Sequence, residues 1–130
     1  MTHNRFFVGV DWAEQHHDIA VVDRTGTVIA RERVANSPAG VKALLCLLSG
    51  LRSSHTHSRR HVPVAIETRN ILLVTALRQA GQPVYPINPV IVTRHRGRIS
   101  PARKKSDPAD AELLAQILRI DPALHRPHPR

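Results

Sequence analysis

Lys104-Lys105-Ser106-Asp107-Pro108-Ala109-Asp110-Ala111-Glu112-Leu113-Leu114-Ala115-Gln116-Ile117-Leu118 reads as a helix with a defined start. Ser106 or Asp107 caps it, and Pro108 suits the first turn, where its missing N–H costs nothing. At about 100° per residue, Ala111, Leu114, Ala115 and Leu118 form one apolar stripe, with Glu112, Gln116 and Arg119 on the opposite side. Asp107 and Asp110 fall in line with Ala111 and Leu114, so both carboxylates aim at whatever the helix packs on. Taken alone, the plain alternative is the better one: acids at a helix N-terminus cap it and offset the macrodipole. The balance turns on whether other elements send acids to the same place. Inward carboxylates without a counter-charge repel and are costly to desolvate, so a third or fourth implies a metal.

Upstream, Arg5-Phe6-Phe7-Val8-Gly9-Val10-Asp11-Trp12 is an apolar run interrupted near its end by an acid, the pattern of a central strand buried on both faces. Residues 18–23 predict a second strand, 24–27 a turn and 28–34 a third strand, which together make an antiparallel meander. Ser37-Pro38 opens a helix with Val41, Leu44, Leu45 and Leu48 on one face, and Cys46 inside it is expected to be a small buried residue. Residues 52–61 read as a polar loop and 62–67 as a fourth strand, again ending in an acid, Glu67. Residues 70–80 predict a helix closed by Gly81. Residues 82–87 form an edge strand, as Pro83 and Pro86 require. Residues 88–105 are expected to be a long, mostly irregular connection.

The order is β-β-β-α-β-α-β-α, an α/β fold with a mixed five-stranded sheet and right-handed crossovers that place helices on its faces. In the ribonuclease H-like arrangement with this order, strand one is central and strand four pairs beside it. Asp11 and Glu67 then stand at neighbouring strand ends, and the last helix lays Asp107 and Asp110 over the same edge. Residues 1–120 fit one domain, and 121–130 is a Pro/His/Arg-rich tail expected to stay disordered. No stretch approaches a membrane span, the first residues show no signal-peptide pattern, and a cytoplasmic protein is expected. The formal charge of +9 suggests a polyanionic partner, most simply nucleic acid.

Asp11, Glu67, Asp107 and Asp110 come from three elements and converge only in this fold. Each has a dull explanation, strand-end solvation or helix capping, but the joint pattern favours a metal site. Oxygen-only ligation suits Mg²⁺ or Mn²⁺ rather than zinc. Two such ions about 4 Å apart serve phosphodiester chemistry. Val8-Gly9-Val10-Asp11-Trp12-Ala13-Glu14, Ala65-Ile66-Glu67-Thr68, Ile87-Asn88-Pro89 and Lys105-Ser106-Asp107-Pro108-Ala109-Asp110-Ala111 resemble the N-terminal RuvC-like domain of the DEDD insertion-sequence transposases, relatives of the Piv-type DNA invertases. The similarity runs over roughly residues 8–118, and its last block is the specific one. By this resemblance Asp11, Glu67, Asp107 and Asp110 match the family's four Mg²⁺-binding acids, which support DNA strand cleavage and exchange. The resemblance also implies DNA and a structured guide RNA as partners, no membrane, and a homo-oligomer for full-length members. Such members continue into a domain with a serine nucleophile. This chain stops at Arg130, so an isolated domain or truncated product is expected, binding metal but not completing recombination.

Arg94, Arg96, Arg98, Arg103, Lys104 and Lys105 lead into the acidic helix, where phosphates approaching the metals would meet them first. A solvated loop is the plain alternative. His55, His57 and His61 have a loose metal-like spacing in a Ser- and Arg-rich stretch, where a surface loop is the better reading. His16-His17 is placed in the turn between the first two strands. Two other functions compete with the transposase reading. One is a non-catalytic RNA- or DNA-binding module with vestigial acids, which divalent-metal titration separates. The other is an actin-like phosphotransferase half, which lacks its glycine-rich phosphate loop here.

Overall fold

The computed structural model describes residues 6–55, 62–67, 71–99 and 107–120, with backbone only at 52–55, 71–72, 95–99 and 107–109. The elements in chain order are β1 (Phe6–Trp12), β2 (His16–Asp23), β3 (Val28–Ala35), α1 (Pro38–His55), β4 (Val64–Glu67), α2 (Ile71–Gln79), β5 (Val84–Ile87), α3 (Pro89–Ile99) and α4 (Asp107–Ile120). They form the expected ribonuclease H-like α/β fold. The sheet order is β3-β2-β1-β4-β5, with β1 in the centre. β1, β2 and β3 pair antiparallel, while β4 pairs parallel to both β1 and β5. β5 lies at an edge, as Pro86 within it and Pro83 just before it require.

The period-two alternation of the strands sorts their side chains onto two helical layers. Val8, Val10, Ile19, Val21, Val64 and Ile66 face one way and pack with Leu44 and Leu48 of α1 and Leu73, Val74 and Leu77 of α2. Phe7, Val22, Ala65 and Ile87 face the other way, against Leu113, Leu114, Ala115, Ile117 and Leu118 of α4 and Val92 of α3. Gly9 lies under α4. A Cβ there would stand 2.0 Å from the Ala111 carbonyl oxygen and 2.7 Å from the Ala115 amide nitrogen, so only glycine lets the helix come this close to β1.

The helix ends follow the sequence signals. The Ser37 hydroxyl accepts from the Gly40 amide at 3.2 Å, capping α1 just before Pro38. Gly81, at φ 82°, closes α2: its N–H donates to the Arg78 carbonyl and that of Gln82 to the Leu77 carbonyl. In the β2–β3 turn the Asp23 carboxylate accepts from the Thr25 and Thr27 amides and the Thr25 hydroxyl. Those bonds, the Thr25 hydroxyl first, hold the Asp23 carboxyl below its ordinary pKa.

Several expectations are corrected. Residues 89–99 are helical, not irregular, because Asn88 caps α3 by accepting from the Val90 amide at 2.8 Å and Pro89 supplies the first turn. α1 continues to His55, beyond the expected end of the helix. Cys46 is exposed, since it stands about 200° around α1 from the inward Leu44. His16 and His17 belong to β2 rather than to a turn, because β2 begins two residues earlier than expected. Glu112, Gln116 and Arg119 do not simply face solvent. Glu112 pairs with Arg31 of β3, and the Gln116 side chain donates to the Gly26 carbonyl at 2.8 Å. The second half of the expected loop and the tail at 121–130 lie outside the described residues.

Candidate functional site

The site grows from one register row. β1 and β4 pair Val8 with Val64, Gly9 with Ala65 and Val10 with Ile66, so the next residues along, Asp11 and Glu67, stand side by side at the strand ends. Both are partly buried. Both also project to the α4 face, because each lies two residues beyond a member of that layer, Gly9 and Ala65 respectively. α4 delivers the third acid. Asp110 is 5% exposed and immediately precedes Ala111, the residue packed on Gly9. Asp107 begins α4, but its side chain lies outside the described residues. Among the described residues, no three His, Cys, Asp or Glu side chains are grouped to hold one ion. Asp11, Glu67 and Asp110 share a face and a rim.

A further acid belongs to the row and escaped the sequence reading. Asp18 of β2 is the direct cross-strand partner of Asp11, so it projects to the same face, and it is 4% exposed. Its own partner across β3 is Arg33, whose Nε donates to Asp18 Oδ1 at 2.9 Å and Nη2 to Oδ2 at 3.3 Å. His16 Nε2 lies 3.6 Å from the same carboxylate. From β4 to β3 the row thus reads Glu67, Asp11, Asp18, Arg33. The sequence signal was the tight β1–β2 hairpin: pairing Trp12 with His17 forces Asp11 opposite Asp18.

His17 lies on the other face. It stacks on Trp12 with ring centroids 6.4 Å apart, and its Nε2–H donates to Asn36 Oδ1 at 3.2 Å. Its Nδ1 is buried without a hydrogen-bond partner among the described residues. Burial holds the imidazole below its ordinary value of 6.5; the neighbouring His16 adds to this, while Asn36 and Asp18 oppose it. It contributes nothing to the acid rim.

Of the basic residues singled out, Arg94 is exposed on α3, which starts directly after β5 and packs against α4. The side chains of Arg96 and Arg98, and Arg103, Lys104 and Lys105 altogether, lie outside the described residues. No described helix is long and apolar enough to cross a membrane.

Residues 8–130 match the IS110 DEDD family model, described as transposase. The chain is 50% identical over 123 residues to a mini-circle transposase for IS117 of Streptomyces coelicolor, covering 95% of this chain and 29% of that protein. It is 32% identical over 120 residues to the transposase y4uE of Sinorhizobium fredii, covering 92% and 33%. It therefore spans about a third of the length of these relatives. Among solved structures it is similar to Thermus thermophilus RuvC, with a TM-score of 0.60 and 20% identity over 95% of this chain and 99% of that one. The same protein in complex with a Holliday junction substrate gives a TM-score of 0.61 at 19% identity, with the same coverage. This likeness bears on the fold alone. The match over residues 8–130 settles the membership: the chain belongs to the IS110 family of DEDD transposases and carries its RuvC-like domain.

Proposed function

We propose that residues 1–120 form the metal-binding half of a DNA transposase, in which Asp11, Glu67, Asp107 and Asp110 hold Mg²⁺ or Mn²⁺ against a DNA phosphodiester. The observation that carries this reading is the row of Asp11 and Glu67 at adjoining strand ends, with α4 seated on Gly9 so that Asp110 reaches the same face. The donor set fits a hard cation: it is all carboxylate, drawn from three elements, with no thiolate. A bound pair of such ions supplies an activated nucleophile and stabilises the leaving oxygen. The chain's own part is to orient the acids on rigid strand ends and to keep water from the helix–sheet contact behind them. Arg94, with Arg96, Arg98, Arg103, Lys104 and Lys105, meets the DNA backbone and supplies salt-sensitive affinity. A guide RNA, a cytoplasmic location, oligomerisation and the serine-dependent steps of strand exchange belong to the same reading of the longer family members.

The test is divalent titration by calorimetry or Mn²⁺ spectroscopy. Binding to the wild-type chain is expected, with at least a tenfold loss in Asp11→Asn and in Glu67→Gln. Equal affinity in wild type and both variants sinks the proposal. A second reading, a nucleic-acid-binding module with vestigial acids, has its own support in the formal charge of +9. It expects duplex binding that ignores Mn²⁺ and survives Asp11→Asn.

A further inference from the structure

We infer that Arg31 and Arg33 of the edge strand β3 form a second phosphate-binding track beside the acid row, held in position by Glu112 and Asp18; this rests on the reading just proposed. The two arginines lie two residues apart on one strand, so they share the α4 face about 7 Å from each other. Their side chains remain 45% and 55% exposed although each is anchored to an acid. Arg33 is in the same register row as Asp11, two strands away, or roughly 10 Å. A backbone crossing the row from the α3 side, where Arg94 is exposed, meets Arg33 on leaving it.

The Asp18–Arg33 pair is a poor choice for stability alone. It puts a buried carboxylate directly opposite Asp11, where like charges repel. A neutral Asn–Gln pair could hydrogen-bond there without that repulsion, and partly exposed ion pairs contribute little. What the charged pair does secure is a guanidinium with a fixed orientation at the rim, its Nε–Nη2 edge held on Asp18 while more than half of the side chain stays exposed to an approaching phosphate. Arg31–Glu112 repeats the device one step along β3, tying the strand to α4. Phosphate contact therefore accounts for an arrangement that packing does not.

The test is the salt dependence of binding to a short labelled duplex DNA, followed by fluorescence anisotropy from about 50 to 200 mM KCl. Asp18→Asn/Arg33→Gln and Arg31→Gln/Glu112→Gln both leave net charge unchanged. Each is expected to lower the slope of log K against log salt by about 0.9. Lys42→Gln, on α1 across the sheet, is expected to leave the slope at the wild-type value. Wild-type slopes in both paired variants overturn the track. If circular dichroism shows that the Asp18 variant fails to fold, the surface pair at Arg31 and Glu112 decides alone. Mn²⁺ titration of the same samples keeps the two proposals apart. Metal binding with unchanged slopes sinks only the track, whereas reduced slopes without metal binding sink the metal reading and keep the track. No duplex binding by wild type sinks the track, while the Mn²⁺ titration alone decides the metal reading. Duplex RNA run in parallel should lose the same slope, and a loss confined to RNA overturns DNA as the occupant.

Discussion

The two faces of the sheet are built from alternate residues of the same strands, yet they are made of different material. Towards α1 and α2 the central strands send Val8, Val10, Ile19, Val21, Val64 and Ile66, all large aliphatics with almost no exposure. Towards α4 they send Phe7 and Val22 at one end, the small Gly9, Ala20 and Ala65 in the middle, and at the rim Asp11, Asp18 and Glu67. One face is held by bulk. The other narrows to small residues around Gly9, where α4 approaches closely, and it ends in charge. The difference teaches that the α4 face gives up hydrophobic volume in order to fix where Asp110 sits relative to Asp11.

The strongest way to break that contrast is to give the small face a large residue. Gly9→Val drives three carbons toward the Ala111 carbonyl and the Ala115 amide, which are backbone and cannot rotate away. A loss of about 3 kcal/mol is expected by urea unfolding, the upper end for overpacking. Divalent and duplex binding should fall together, because α4 is displaced with its acids. Normal metal affinity in a folded Gly9→Val chain would separate the helix contact from the site.

A milder change sharpens the same comparison from the other side. Ile66 is fully buried on the aliphatic face, one residue before Glu67. Ile66→Val should cost about 1 kcal/mol in urea unfolding, a methyl's worth of packing. Mn²⁺ affinity of the folded molecules should not change, since Ile66 and Glu67 point to opposite layers. A metal defect in this variant would show that the two faces are coupled through the strand.

Much of this was legible in the sequence, and the failures have physical causes. The strands, the Ser37 cap, the Gly81 closure and the inward stripe of α4 follow from periodicity and cap chemistry, which are local. α3 was lost although Asn88 and Pro89 announce a helix start, because Val90, Ile91, Val92 and Thr93 are β-branched and argue for extended chain. Packing of Val92 beneath the sheet overrides that preference. Cys46 sits in an apolar run, but its angle around α1 from Leu44 carries it to the exposed side. Asp18 and Arg33 could not be found from composition at all. Their meaning lies in cross-strand register, which a one-residue shift would have reversed.

The smallest expected effect probes a titratable ring on the aliphatic face. His17 is 1% exposed and held neutral by burial, below its ordinary 6.5, although Asn36 and Asp18 pull the other way. The unfolded chain takes up a proton there as pH drops below about 6.5, while the folded chain does not until its lower value is reached. The stabilisation is therefore complete above pH 6.5 and is lost as pH falls through the folded value. Thermal melts of wild type should weaken across that interval more steeply than those of His17→Gln, whose amide keeps a donor for Asn36. The difference between the two curves isolates His17 from the other eight histidines of the chain. Parallel curves would mean that the ring takes up its proton within the fold, and that this face, too, tolerates charge.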